Sequence, residues 1–186
     1  MANGRTDLSK FNNDWYDPGA GVVVRLAWYA TNALFFASWF PFSRFKVTLL
    51  RMFGARVGRG VVIKPRVNIK YPWLLEVGNS VWIGESVWID NLVAVTLGNN
   101  VCLSQGAMLL TGNHNYKSQS FDLLTGTITL EDGVWIGAQS VVCPGVICGT
   151  HAVLSVGSVA TRPLEAYGIY QGNPAVKVRE RVIEPS

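Results

Sequence analysis

Two histidines are present, His114 and His151, and their settings differ. His114 stands in Thr111-Gly112-Asn113-His114-Asn115-Tyr116, among small and amide residues. A neutral imidazole there could take a proton from a hydroxyl near neutral pH. That is the one service that a direct acyl transfer from a thioester to an alcohol requires. His151 lies between Cys148 and Leu154 inside regularly patterned chain and reads as a surface corner residue. The cysteines Cys102, Cys143 and Cys148 are odd in number and lack CxxC or Cys/His spacing. They read as reduced thiols of a cytoplasmic protein, without a metal site and without the His partner that a nucleophilic cysteine needs.

The elements that must position His114 show themselves as a repeat. From Val57 onward an aliphatic residue recurs every six positions, often followed by Gly, as in Val77-Gly78, Ile83-Gly84, Leu97-Gly98 and Ile136-Gly137. Fifteen such anchors run in phase from Val57 to Ala160. Four places after each comes a small or branched residue, for example Val81, Val101, Ala107, Ser140 and Ser158. A period of six fits neither an amphipathic helix nor an alternating strand. It fits a prism of short parallel strands, three hexapeptides to a coil, with the anchors stacked inside. The expected fold is all-β, a parallel β-helix of about five coils behind an N-terminal α-helical segment.

Steps between anchors depart from six only at 69 to 77, 89 to 97 and 109 to 130. All three follow the third hexapeptide of a coil, so the insertions should emerge at one corner of the prism. Two add two residues each; the third adds fifteen and carries His114. A long excursion from a compact repeat is a place for function. The expected divisions are residues 1–56, the β-helix over 57–165 with a catalytic loop at 111–129, and a tail over 166–186.

Residues 21–53 follow another grammar. They are rich in aromatics (Trp28, Tyr29, Phe35, Phe36, Trp39, Phe40), and Pro41 should end one helix before Ser43 starts the next. No charge falls between Leu26 and Ser43, and Arg25, Arg44, Lys46 and Arg51 flank that run. Two readings stand: helices packed on the β-helix or a neighbouring subunit, or an in-plane anchor at a membrane surface. Asn32 and Pro41 inside a run of borderline length argue against a span. The formal charge of +4 suits an anionic ligand or membrane surface and is too small to argue nucleic acid.

Several stretches together resemble one family. Asp132-Gly133-Val134-Trp135-Ile136-Gly137-Ala138, Pro144-Gly145-Val146, Val156-Gly157-Ser158-Val159 and Gly172-Asn173-Pro174-Ala175 are similar to the C-terminal signature of the hexapeptide-repeat O-acetyltransferases. Lys64-Pro65, Lys70-Tyr71-Pro72-Trp73, Trp88-Ile89-Asp90-Asn91-Leu92 and Gly112-Asn113-His114-Asn115-Tyr116 resemble its colanic-acid-type branch, kin to the maltose and galactoside acetyltransferases. The resemblance covers nearly the whole chain. It implies a left-handed β-helix, a homotrimer with sites between adjacent prisms, acetyl-CoA as co-substrate and a sugar hydroxyl as acceptor, on an exopolysaccharide or lipid-linked glycan precursor at the inner face of the membrane. By the same resemblance His114 is the general base and Asn91 orients the acceptor or helps hold the oxyanion. Without it Asn91 reads equally as a turn residue, and Asp90 could orient His114 instead.

For coenzyme A the resemblance points to Trp135 along the pantetheine and to backbone groups of Ala138 and Gly157. Thr161 and Arg162 are set near the adenine and phosphates, though Arg162-Pro163-Leu164 departs from the usual pattern. Lys177 and Arg179 could join them or be a solvated tail. A γ-type carbonic anhydrase would need three histidines on one zinc, and this chain has two. A catalytically silent β-helix scaffold, which would tolerate loss of His114, is the competing reading, beside an acyltransferase for a non-sugar small molecule.

Overall fold

The computed structural model describes residues 4–185. Its center is a prism with three flat faces of short parallel strands. The first face stacks Arg56–Val57, Leu75–Val77, Val95–Leu97, Ile128–Leu130 and Ile147–Cys148. The second stacks Val62–Ile63, Trp82–Ile83, Cys102–Leu103, Trp135–Ile136, Val153–Leu154 and Gly168–Gly172. The third stacks Asn68–Ile69, Trp88–Asp90, Met108–Leu110, Val141–Val142 and Val159–Ala160.

Register puts anchor on anchor, as the hexapeptide period requires. Ile63, Ile83, Leu103, Ile136 and Leu154 form one ladder, and Ile69, Ile89, Leu109, Val142 and Ala160 another. Val57 is half-buried in the first coil, and every later anchor is buried. The ladders supply the continuous apolar core that a solenoid must build between neighbouring coils. Corners are turned by residues in the left-handed region, among them Ser86 and His151, both at φ +59°. His151 is thus the corner residue its spacing indicates, with its ring stacked on Tyr167 at 5.0 Å and 4°.

The solenoid reaches about six turns. A sixth coil begins where Leu164 bridges Cys148, and continues in Gly168–Gly172. The step from Ala160 to Leu164 is four residues, which breaks the period and hides this coil from a search at six. Gly168–Gly172 then pairs antiparallel with Ala175–Glu180, so the tail closes as a hairpin.

Two helices cover the first coil. Helix α1 (Val22–Thr31) runs into a π turn at Asn32–Phe36, and helix α2 spans Ser43–Met52. Trp28, Phe36, Val47 and Leu50 are buried in the same core as the coil anchors. Trp28 Nε1 donates to the Ile69 carbonyl at 2.9 Å, which ties α1 to the third face. The side chain of Lys46 is fully buried beneath α2, and its Nζ donates to the Lys64 carbonyl at 2.8 Å. Loss of hydration lowers its pKa to about 8. Among the described residues no helix is long and apolar enough to cross a membrane.

The three insertions do share a corner. Tyr71, Asn91 and Thr111 occupy equivalent positions on successive coils. The Thr111 N–H donates to the Asp90 carbonyl at 3.2 Å, and its hydroxyl accepts from the Leu92 N–H at 2.8 Å. The long insertion is ordered as a hairpin, with Gly112–His114 antiparallel to Leu123–Thr125.

Candidate active site and coenzyme groove

At the shared corner a cavity of about 500 Å³ opens beside His114. Three separate parts of the chain wall it: the hairpin through Gly112, His114 and Leu123; the corner residues Lys70, Tyr71, Asp90 and Leu92; and the N-terminal region through Phe11, Asn13, Tyr16 and Tyr29.

The hairpin holds the His114 ring on two sides. Its Nδ1 lies 2.9 Å from the Phe121 carbonyl, and its face stacks on the Phe121 ring at 4.4 Å and 11°. A carbonyl only accepts, so Nδ1 carries the hydrogen, and in the neutral ring the lone pair is on Nε2. Phe121 sits at φ +53°, sparsely populated for a bulky residue, and from there presents both ring and carbonyl to the same histidine. Phe11 adds a tilted aromatic contact at 5.9 Å.

Asn91, expected in the site, is fully buried beneath it. Its Nδ2 donates to the Tyr71 carbonyl at 2.6 Å and its Oδ1 accepts from the Tyr71 N–H at 3.0 Å. Both ends of the amide thus replace ladder bonds lost at the bulge, and neither is free for an acceptor. The residue before it, Asp90, lines the cavity and pairs with Lys70 at 3.0 Å. Burial, and after it the Tyr29 hydroxyl, pushes the Tyr71 phenol up to about 12. Tyr16 is likewise raised, by burial first and then by Tyr71 and Asp90, so it stays protonated and donates to the Leu92 carbonyl at 2.6 Å.

Reasoning from the sequence missed the N-terminal arm. The Asp7 N–H donates to the Gln119 carbonyl at 2.8 Å, and Lys10 Nζ reaches Gln119 Oε1 at 3.2 Å. Contacts spanning more than a hundred residues leave no periodic trace in the sequence.

A second groove, of about 570 Å³, lies on the second face. Trp135, Ala138 and Arg179 line it, with Ser104, Val156 and Arg181. Trp135 is 46% exposed, and its Nε1 donates to Ser104 Oγ at 2.9 Å, which holds the indole across the groove. Gly137 forms part of the floor, where a Cβ would come within 2.6 Å of the Val156 nitrogen. The Gly157 N–H is bonded to the Ala138 carbonyl at 2.9 Å, and Gly157 itself lies just outside the groove lining, next to Val156. Thr161 and Arg162 are exposed and lie outside the groove lining. Lys177 is held between Glu165 at 2.7 Å and Glu180 at 2.6 Å, so its charge is already answered. Arg181, which the sequence did not single out, lines the groove in its place and is braced on the Gly133 carbonyl at 2.9 Å.

Cys148 is buried, and burial followed by Glu131 pushes its thiol up to about 12, which leaves it inert as a nucleophile.

No family profile matches the chain. The chain is 37% identical over 178 residues to the colanic acid biosynthesis acetyltransferase WcaF of Escherichia coli, covering 95% of this chain and 97% of that protein. The chain belongs to the hexapeptide-repeat acetyltransferases, in the colanic-acid branch. It is also 27% identical over 136 residues to the galactoside O-acetyltransferase of Escherichia coli, covering 72% of this chain and 67% of that one. Among solved structures, a hexapeptide-repeat acetyltransferase of Vibrio cholerae complexed with acetyl coenzyme A aligns with a TM-score of 0.79 at 20% identity. That alignment covers 90% of this chain and 93% of the other. A galactoside acetyltransferase in complex with coenzyme A aligns at 0.75 and 23% identity, over 85% and 80%. Both show the same fold.

Proposed function

We propose that this acetyltransferase moves the acetyl group of acetyl-CoA to a hydroxyl of a sugar, on an exopolysaccharide or lipid-linked glycan precursor, with His114 as general base. The fixed tautomer of His114 carries the reading: its Nδ1–H is committed to the Phe121 carbonyl, so Nε2 is the proton acceptor on a cavity wall. The acceptor oxygen attacks the thioester carbonyl carbon as its proton passes to Nε2. The tetrahedral intermediate then collapses, the C–S bond breaks, and the sulfur leaves as the thiol with the proton that Nε2 returns, which restores the neutral imidazole. Both substrates are bound together, so no covalent enzyme intermediate is needed.

Tyr71, Asp90 and Lys70 supply hydroxyl, carboxylate and ammonium groups of the kinds that meet sugar hydroxyls. Asn91 acts as a positioning residue through Tyr71. Trp135 and the Ala138 and Gly157 backbone take the pantetheine, with Arg179 and Arg181 toward the phosphates. The relatives named for colanic acid biosynthesis and for galactoside acetylation support a sugar acceptor.

We read the assembly as the homotrimer that the family resemblance implies, and the separation of the two sites supports an arrangement of more than one copy. The groove lies on the second face and the cavity at the corner that follows the third, and they share no lining residue. An acetyl group held in one copy's groove meets His114 of a neighbouring copy. The exposed Trp82, Trp88, Trp135 and Ile147 on the prism walls support such contacts.

Free-thiol release from acetyl-CoA, measured with a panel of sugars and lipid-linked sugars, tests the reading. Acceptor-dependent release that His114→Ala removes is expected. No release with any acceptor, together with no binding of CoA, would leave a scaffold.

A further inference from the structure

Acid and base are segregated along this chain. From Pro18 to Leu75 there are nine Lys and Arg residues and no Asp or Glu; the other seven cations share the remaining chain with all 12 acids. The cationic stretch is α1, α2 and the first coil, which together form one end of the solenoid.

The polarity of α1 at that end is inverted. Its one charged residue, Arg25, is half-buried, with Nε out of contact with solvent. Its outward arc is Val22, Val23, Leu26, Ala27 and Ala30, with Val23 81% and Leu26 62% exposed. The strip continues through Leu34, Trp39 and Phe42, each at least 65% exposed. On α2 the outward side mixes Phe45 and Met52 with Arg44 and Arg51, and Arg44, Arg51 and Arg59 border a single groove. The Arg66 guanidinium lies over the Trp39 ring at 5.4 Å. Apolar residues bordered by arginines and an indole are the makeup of a helix lying in a lipid–water interface.

We infer that this end of the molecule is a docking surface for an anionic lipid leaflet, with α1 lying in the plane of the interface. Charge selects this occupant. A second copy of the chain would set Arg44, Arg51 and Arg59 against the same arginines, whereas acidic headgroups complement them. The placement also gives the surface a use, which rests on the reaction assigned above. Tyr29 of α1 lines the His114 cavity, so a glycan carried on a membrane lipid would meet the enzyme at the wall nearest its own anchor.

The experiment is co-sedimentation of the full-length protein with vesicles of phosphatidylcholine alone or mixed with phosphatidylglycerol. Binding to the mixed vesicles, weak on phosphatidylcholine and diminished by salt, is expected. The double variant Val23→Glu/Leu26→Glu should lose about tenfold or more in vesicle affinity. Arg44→Ser and Arg59→Ser should each lose about fivefold. None of these residues touches the cavity or the coenzyme groove, so thiol release with a soluble acceptor should be unchanged in all of them; that readout separates this inference from the assigned reaction. Absence of binding to either vesicle would overturn it. So would a Val23→Glu/Leu26→Glu protein that binds vesicles normally but changes its mass in solution, since the strip would then be covered by another copy.

Discussion

At the scale of residues, the site depends on which nitrogen of His114 carries the proton and what holds it there. His114→Ala should lower kcat by about 10²–10⁴-fold, the usual contribution of a general base. CoA binding measured by calorimetry should survive, because the residue lies outside the core ladders. Asp90→Asn should act on acceptor KM, since it removes the partner of Lys70 at the cavity wall. Asn91→Ala should instead cost stability, by about 1–3 kcal/mol, because it leaves the Tyr71 N–H and carbonyl unanswered in a buried place. Opposite effects of the two substitutions would reverse these assignments.

The same pair shows what the sequence can and cannot tell. The hexapeptide register locates the corner to within a residue, and a resemblance supplies an asparagine beside it. Whether residue 90 or 91 faces the cavity depends on how the two-residue bulge turns, and period six is silent on that. Lys46 is a similar case, since its spacing on α2 is legible while its burial against Lys64 is a tertiary fact. With its folded pKa near 8 against 10.5 ordinarily, the unfolded chain binds the extra proton between those values, so stability rises with pH there. The melting temperature of the wild type relative to Lys46→Met should therefore climb from pH 8 to about 10, and be flat below.

Elements divide by how local their cause is. The coils were legible because each anchor repeats one packing decision, and a cut into any ladder should be felt. Ile136→Ala, at a fully buried rung, should cost about 2–5 kcal/mol in denaturant unfolding. The hairpin and the N-terminal arm were not legible in the same way. The hairpin appears in the sequence only as a break in the period, and the arm only as polar and aromatic residues before the helices. Their contacts, such as Asp7 to Gln119 and Tyr16 to Leu92, hold the arm against the hairpin and the corner beside the His114 cavity. Tyr16→Phe should raise acceptor KM by about fivefold, one hydrogen bond's worth, and leave the KM for acetyl-CoA unchanged. An equal rise for both substrates would mean that the arm supports the fold rather than the acceptor.

For the whole molecule, the decisive feature is that one chain offers a coenzyme groove and a base on different sides of a prism. On the proposed assignment a monomer would bind both substrates and still not join them. The chemistry is therefore proposed to occur between copies, and subunit mixing tests this most directly. Ala138→Trp should fill the groove and His114→Ala should remove the base, so each protein alone should be inactive in thiol release. Co-expressed, they form mixed assemblies in which the intact groove of a His114→Ala chain faces the intact His114 of an Ala138→Trp chain. The expected result is acceptor-dependent thiol release well above either parent. A mixture as inactive as its components, with mixed assemblies verified by mass, would contradict the account and return the whole site to a single chain.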